Sequence, residues 1–165
     1  MSRYSQSIPN ESHQTPNENP LCGLSPQAAR EVKRDTPLRR ARTCYGHLAG
    51  VAGVYLMDQM RARDWLEEMT PGPSDRHVGY SLTVVGVQAL EACGVDAAAV
   101  SKTAGRAGYG CLDWTERRQH LGGVLGRAIV DVLGASGYIL RSSSSREVEM
   151  LQGLQNWLDG SETAR

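Results

Sequence analysis

One stretch of the chain is written twice. His47 to Leu66, HLAGVAGVYLMDQMRARDWL, recurs as His120 to Ile139, HLGGVLGRAIVDVLGASGYI, at an offset of 73, the difference between 120 and 47. His47/His120, Leu48/Leu121, Gly50/Gly123, Gly53/Gly126 and Asp58/Asp131 coincide without a gap. Self-similarity at a fixed offset marks a repeated supersecondary unit, which buries its apolar face by packing on its copy. Each unit reads as a helix that ends in a short strand.

Thr36-Pro37 is a helix start, with a side-chain cap followed by a residue that needs no donor. Apolar residues at 41, 44, 45, 48, 51, 52, 55, 56 and 60 then predict one helix from about Pro37 to Arg63. The stripe at 121, 124, 125, 128, 129, 132 and 133 predicts its counterpart from about Arg117 to Ser136. Val78 to Leu82 alternates like a strand. Thr83 and Asp96 are placed to cap short helices from Val84 to Ala92 and from Ala97 to Lys102. Tyr138 to Arg141 and Glu147 to Leu151 read as a hairpin around the tetrad Ser142 to Ser145, and Leu154 to Leu158 as a terminal helical turn. The expected fold is α+β, mainly α: two winged-helix-like pseudo-repeats, each a long helix, short hairpin and short helix, packed together. The boundaries are 1–24 for a disordered tail, 25–36 for a short helix and linker, 37–104 and 105–160 for the repeats, and 161–165 for a second tail.

Eighteen basic and eighteen acidic side chains cancel, so the molecule has no global field to draw it to nucleic acid or to an anionic membrane. No apolar run reaches the roughly 20 residues of a membrane helix, and no secretory signal opens the chain. A cytoplasmic protein is expected, without membrane binding. Phe is absent, so Leu, Val, Met and Ala carry the packing. Cys22, Cys44, Cys93 and Cys111 are too few and too scattered for a disulfide framework and read as free thiols.

At Arg42-Thr-Cys-Tyr-Gly-His-Leu-Ala-Gly50 and Cys111-Leu-Asp-Trp-Thr-Glu-Arg-Arg-Gln-His-Leu-Gly-Gly123, the chain resembles the C-terminal portion of ArsR-type winged-helix bacterial transcriptional regulators. The resemblance covers about Pro37 to Leu158. It implies an effector and dimerisation module, with a homodimer or a heterodimer with a related regulator as the expected assembly. In that family a separate N-terminal winged helix-turn-helix reads DNA, and nothing before Pro37 has the composition for one. The sequence departs from the family at Gly46, where Asp is usual, and at Gln119, where Pro is usual. The other readings are a stand-alone winged-helix DNA-binding protein, which would reach DNA only through its basic first helix, and a module that sequesters full-length regulators.

Cys44 and His47, three residues apart, are neighbours on a helix surface. With Cys111 and His120 at the equivalent place in the second copy, they are candidates for a Cys2His2 site between the repeats, with zinc the natural occupant. The bland alternative is four ordinary side chains, since there is no CxxC pair and His120 lies nine positions after Cys111. Nearby Arg42, Arg117 and Arg118 make a reactive thiol at Cys44 or Cys111 a further option. Tyr45, His47, Trp114 and His120 are candidates for an effector pocket. Arg39, Arg40, Arg42, Arg141 and Arg146 are candidates for phosphate contacts. Gly50, Gly53, Gly123 and Gly126, read as mid-helix, each cost about 1 kcal/mol relative to Ala, and close crossing of the two repeated helices is the expected return. His47 and Asp58 lie about 16 Å apart along one helix, too far to act as an acid/base pair. No nucleophile, base and oxyanion donors come together, so no enzymatic activity is expected.

Overall fold

A computed structural model describes residues 26, 34–102 and 105–160. Both expected tails, and the expected helix at 25–32 apart from Pro26, lie outside the described residues. The elements in chain order are α1 (Pro37–Arg40), β1 (Arg42–Cys44), β2 (His47–Ala49), α2 (Gly50–Ala62), β3 (Leu66–Glu68), β4 (Gly79–Leu82), α3 (Val84–Ala92), α4 (Ala97–Ser101), β5 (Gly108–Leu112), β6 (Gln119–Gly122), α5 (Gly123–Ala135), β7 (Ile139–Arg141), β8 (Val148–Met150) and α6 (Leu154–Gly160).

This corrects the expectation of a mainly α fold. Among the described residues eight strands form three antiparallel sheets, and both long helices are shorter than the helices expected at 37–63 and 117–136. The first stripe fails at Ala41 to Ala49. Arg42 pairs with Ala49 and Cys44 with His47 across a two-residue turn, and Tyr45 and Gly46 hold φ of +50° and +92°. Two successive positive φ values make the tight turn that matches strand twist. Gly46 meets that demand without the strain of a side chain at its Cα. Tyr45, a core position on the helix reading, sits at the hairpin tip and is 86% exposed. In the second copy His120 and Leu121 are strand residues, paired with Cys111 and Gly110.

Both long helices begin at a glycine. Gly50 (φ +77°) and Gly123 (φ +87°) turn the chain from strand to helix in a conformation that L side chains rarely adopt. The caps foreseen at Thr36, Thr83 and Asp96 accept N–H bonds from Arg39 (3.1 Å), Gly86 (2.9 Å) and Ala99 (2.8 Å).

The four-stranded sheet runs β3-β4-β5-β6, so it takes two strands from each repeat. At the other end β7 pairs with β8, and β8 reaches β1 through Thr43 N–H to Arg146 C=O (2.8 Å) and Val148 N–H to Ala41 C=O (3.1 Å). Each repeat's hairpin therefore adds to the other repeat's strands. One core follows, with Leu48, Met57, Met60 and Leu90 of the first copy packed with Leu121, Leu125, Ile129 and Leu133 of the second. No described helix is long and apolar enough to cross a membrane.

Candidate functional site

The exchange of strands brings the two signature segments face to face. Cys44 and His47 are cross-strand partners in β1–β2, and Cys111 and His120 are cross-strand partners in β5–β6. Cys44 and His47 are thus neighbours across a hairpin rather than along a helix. The six extra residues between Cys111 and His120 form a loop whose ends still pair in register, so unequal spacing in sequence gives equal placement in space. One potential ligand atom from each of the four residues lies within 4.8 Å of the others.

The two imidazoles are 1% exposed, and their Nε2 atoms stand 3.1 Å apart. Burial, and then the neighbouring His120 and Arg127, bring His47 down to about 4. Burial also outweighs the pull of Asp113 and leaves His120 at about 4. Both rings are neutral at pH 7 and each carries one lone pair. Burial, reinforced by the adjacent Cys44, pushes the Cys111 thiol up to about 11. That is the reverse of the lowered value a reactive thiol needs, and Arg42, expected to supply the lowering, is committed elsewhere. Cys44 and Cys111 are free and half-buried.

Asp113 organises the floor of this cluster. It is fully buried, with Oδ1 accepting from Arg42 Nη2 (2.6 Å), Thr115 N–H (2.9 Å), Thr115 Oγ1 (2.8 Å) and Glu116 N–H (3.1 Å). Its Oδ2 accepts from the N–H of Gly50 at 2.8 Å and stands 3.5 Å from His120 Nδ1. Burial alone would raise this carboxyl. The N–H groups of Gly50 and Glu116, the Arg42 guanidinium and the Thr115 hydroxyl together hold it at about 2. The sequence reading passed over Asp113, although its signal was present: Asp-x-Thr after a strand is the pattern of a carboxylate bonding its own backbone two residues on.

Arg42 was expected at a phosphate. It is 1% exposed, bonded to Asp113 and to the Leu38 carbonyl (3.1 Å), and stacked 4.6 Å over the Trp114 ring. Of the other four arginines, Arg39 pairs with Glu116 (2.9 Å), Arg40 with Asp35, and Arg141 with Asp131 (3.4 Å), while Arg146 is exposed beside the serine turn. Asp58 pairs with Arg118 at 2.7 Å, apart from either histidine ring.

The effector-pocket residues do not enclose one cavity. His47 and His120 meet, but Tyr45 points outward and Trp114 lies under Arg42. Clefts of about 520 and 210 Å³ lie elsewhere, between α1 and the β7–β8 hairpin and beside α2.

The four glycines also serve a different contact from the one expected. Gly53 and Gly126 lie in the first helical turn, and a Cβ on either would come within 2.3 Å of the carbonyl of Leu48 or Leu121 in the preceding strand. The next neighbour is the opposite copy's histidine: His120 Cβ at 3.4 Å from the Gly53 position and His47 Cβ at 2.9 Å from the Gly126 position. Helix α2 packs on β6, and α5 on β2. The glycine strips admit a strand and its histidine, where helix–helix crossing had been expected.

No family profile and no solved structure matches the chain. It is similar to the uncharacterized HTH-type transcriptional regulator YdfF of Bacillus subtilis (strain 168), with 26% identity over 136 residues. The match takes in 80% of this chain and 57% of that relative, so the chain spans little more than half the relative's length.

Proposed function

We propose that this chain is the effector and dimerisation module of an ArsR-like transcriptional regulator, acting beside a DNA-reading domain in the cytoplasm. The similarity to an HTH-type regulator over 80% of the chain carries this reading. Charge supports the division of labour. Arg42 is buried against Asp113 and Arg39 is largely buried against Glu116, so a phosphate would have to displace an internal partner at both. The partner is a second copy of this chain or the matching part of a related regulator.

Two measurements test the reading. Incubated with a randomised duplex pool at low and moderate salt, the chain alone is expected to retain no selected sequence. Fused to a DNA-binding domain that represses only as a dimer, it is expected to restore repression of a reporter and to sediment as a dimer. Selective, salt-sensitive retention by the unfused chain would overturn the division of labour. A silent fusion that sediments as a monomer would overturn the dimerisation module.

A further inference from the structure

We propose that Cys44, His47, Cys111 and His120 form a four-coordinate centre for one borderline-soft divalent metal ion, zinc by its chemistry, clamped between the two repeats. Metal coordination extends beyond the regulatory reading and stands independently of it. Four donors converge from two remote segments, and each repeat supplies one sulfur and one imidazole. Tetrahedral zinc with Zn–N near 2.05 Å and Zn–S near 2.3 Å sets ligand separations of about 3.3 Å between nitrogens and about 3.8 Å between sulfurs. The Nε2 atoms already stand 3.1 Å apart, and the cluster's widest separation is 4.8 Å. Movements of about 1 Å would close it.

The hydrogen-bonding arrangement points the same way. Both histidines are buried, and neither Nδ1 has a hydrogen-bond partner. Asp113 Oδ2 lies 3.5 Å from the Nδ1 of His120. A proton held on that nitrogen, toward the carboxylate, leaves the lone pair of Nε2 directed at His47. This is how an outer carboxylate orients a metal-bound imidazole. Two Nε2 lone pairs that face each other repel unless a proton or a cation lies between them, and the adjacent sulfurs favour the cation.

Charge selects the ion. Two thiolates and two neutral imidazoles around a divalent cation sum to zero, while Arg42 already balances Asp113. The buried centre then adds no unpaired charge. Sulfur and imidazole donors without a directly ligating carboxylate disfavour magnesium and calcium. All four positions are filled by protein, the pattern of a structural or conformational site rather than a catalytic one. Each Cys–His pair sits on a different hairpin, so the ion would link the two repeats.

The test uses the full chain, stripped with chelator under reductant and titrated with cobalt(II) and then zinc(II). The expected result is one cobalt per chain, with the intense visible bands of a tetrahedral ion and thiolate charge transfer, both displaced by zinc. Zinc is also expected to raise the thermal midpoint, reversibly with chelator. C44S, C111S, H47Q and H120Q should each weaken zinc binding beyond the ~100-fold that outer-ligand changes produce, and D113N should weaken it by about 10- to 100-fold. In case a ligand variant fails to fold, a second measurement uses a chain carrying C22S and C93S, in which only Cys44 and Cys111 can react with a maleimide. Zinc should protect both thiols, and magnesium should protect neither. Absence of tetrahedral bands together with unprotected thiols at saturating zinc would overturn the proposal. Full zinc affinity in the folded C44S/C111S double variant would overturn the ligand set. Metal binding without reporter repression would count against the regulatory reading alone.

Discussion

Asp113→Asn is the most informative single change in the fold. It preserves shape and removes one charge, leaving the Arg42 guanidinium 1% exposed and without its counterion. Stranding one member of a buried pair costs about 3–5 kcal/mol. The asparagine cannot recover this, because Asp113 uses both oxygens as acceptors: Oδ1 toward Arg42, Thr115 and Glu116, and Oδ2 toward Gly50 N–H. Whichever oxygen becomes an amide nitrogen, a buried donor then faces a donor, a fault of about 1–3 kcal/mol that overlaps with the first. With a urea slope of about 1–3 kcal/mol per molar, the midpoint should fall by roughly 2 M. Urea titration in chelator and reductant, followed by far-UV circular dichroism, measures this without a contribution from metal. A second variant sharpens the argument: Arg42→Met combined with Asp113→Asn removes the stranded cation and should be more stable than Asp113→Asn alone. A loss below about 1 kcal/mol for the single variant, or a double variant no more stable than it, would refute the claim that this pair anchors the repeats.

Other outcomes follow from single contacts. Gly126→Ala places a Cβ 2.3 Å from the Leu121 carbonyl and 2.9 Å from His47 Cβ, so it should lose about 1–3 kcal/mol in the same titration. Gly134→Ala, near the end of the same helix with nothing within 4 Å of the new Cβ, should gain about 0.5–1 kcal/mol. Equal effects at the two glycines would contradict the assigned packing. Thr83→Ala removes the acceptor for Gly86 N–H and should cost about 1 kcal/mol, seen as a lower midpoint with an unchanged slope. Asp131→Asn, which breaks an exposed pair with Arg141, should leave the midpoint unmoved.

Which parts of the fold could be read in advance follows from the range of the interactions. Thr83 and Asp96 announce helices because a cap acts within three residues. The serine tetrad announces a turn for the same reason, and Ser142 Oγ indeed accepts from Ser145 N–H at 3.1 Å. Ala41 to Ala49 is a local hairpin whose apolar spacing fits a helix by chance, and the backbone bonds that hold its outer edge, to Arg146 and Val148, come from about a hundred residues away. The candidate ligands were legible as residue types in a repeated frame. Their assumed geometry was wrong for Cys44 and His47, which meet across a hairpin.

The sequence by itself determined the duplication, the caps at Thr36, Thr83 and Asp96, the serine turn, and the four cysteine and histidine positions. All of these depend on neighbours in the chain or on comparing the chain with itself. Only the tertiary structure decided that Arg42 lies beneath the surface, that Asp113 joins β1 to α2, and that His47 faces His120 rather than solvent. The physical reason is the strand exchange: each repeat's hairpin pairs with strands of the other copy, so the surroundings of Arg42, Asp113 and the two histidines are set by the opposite repeat.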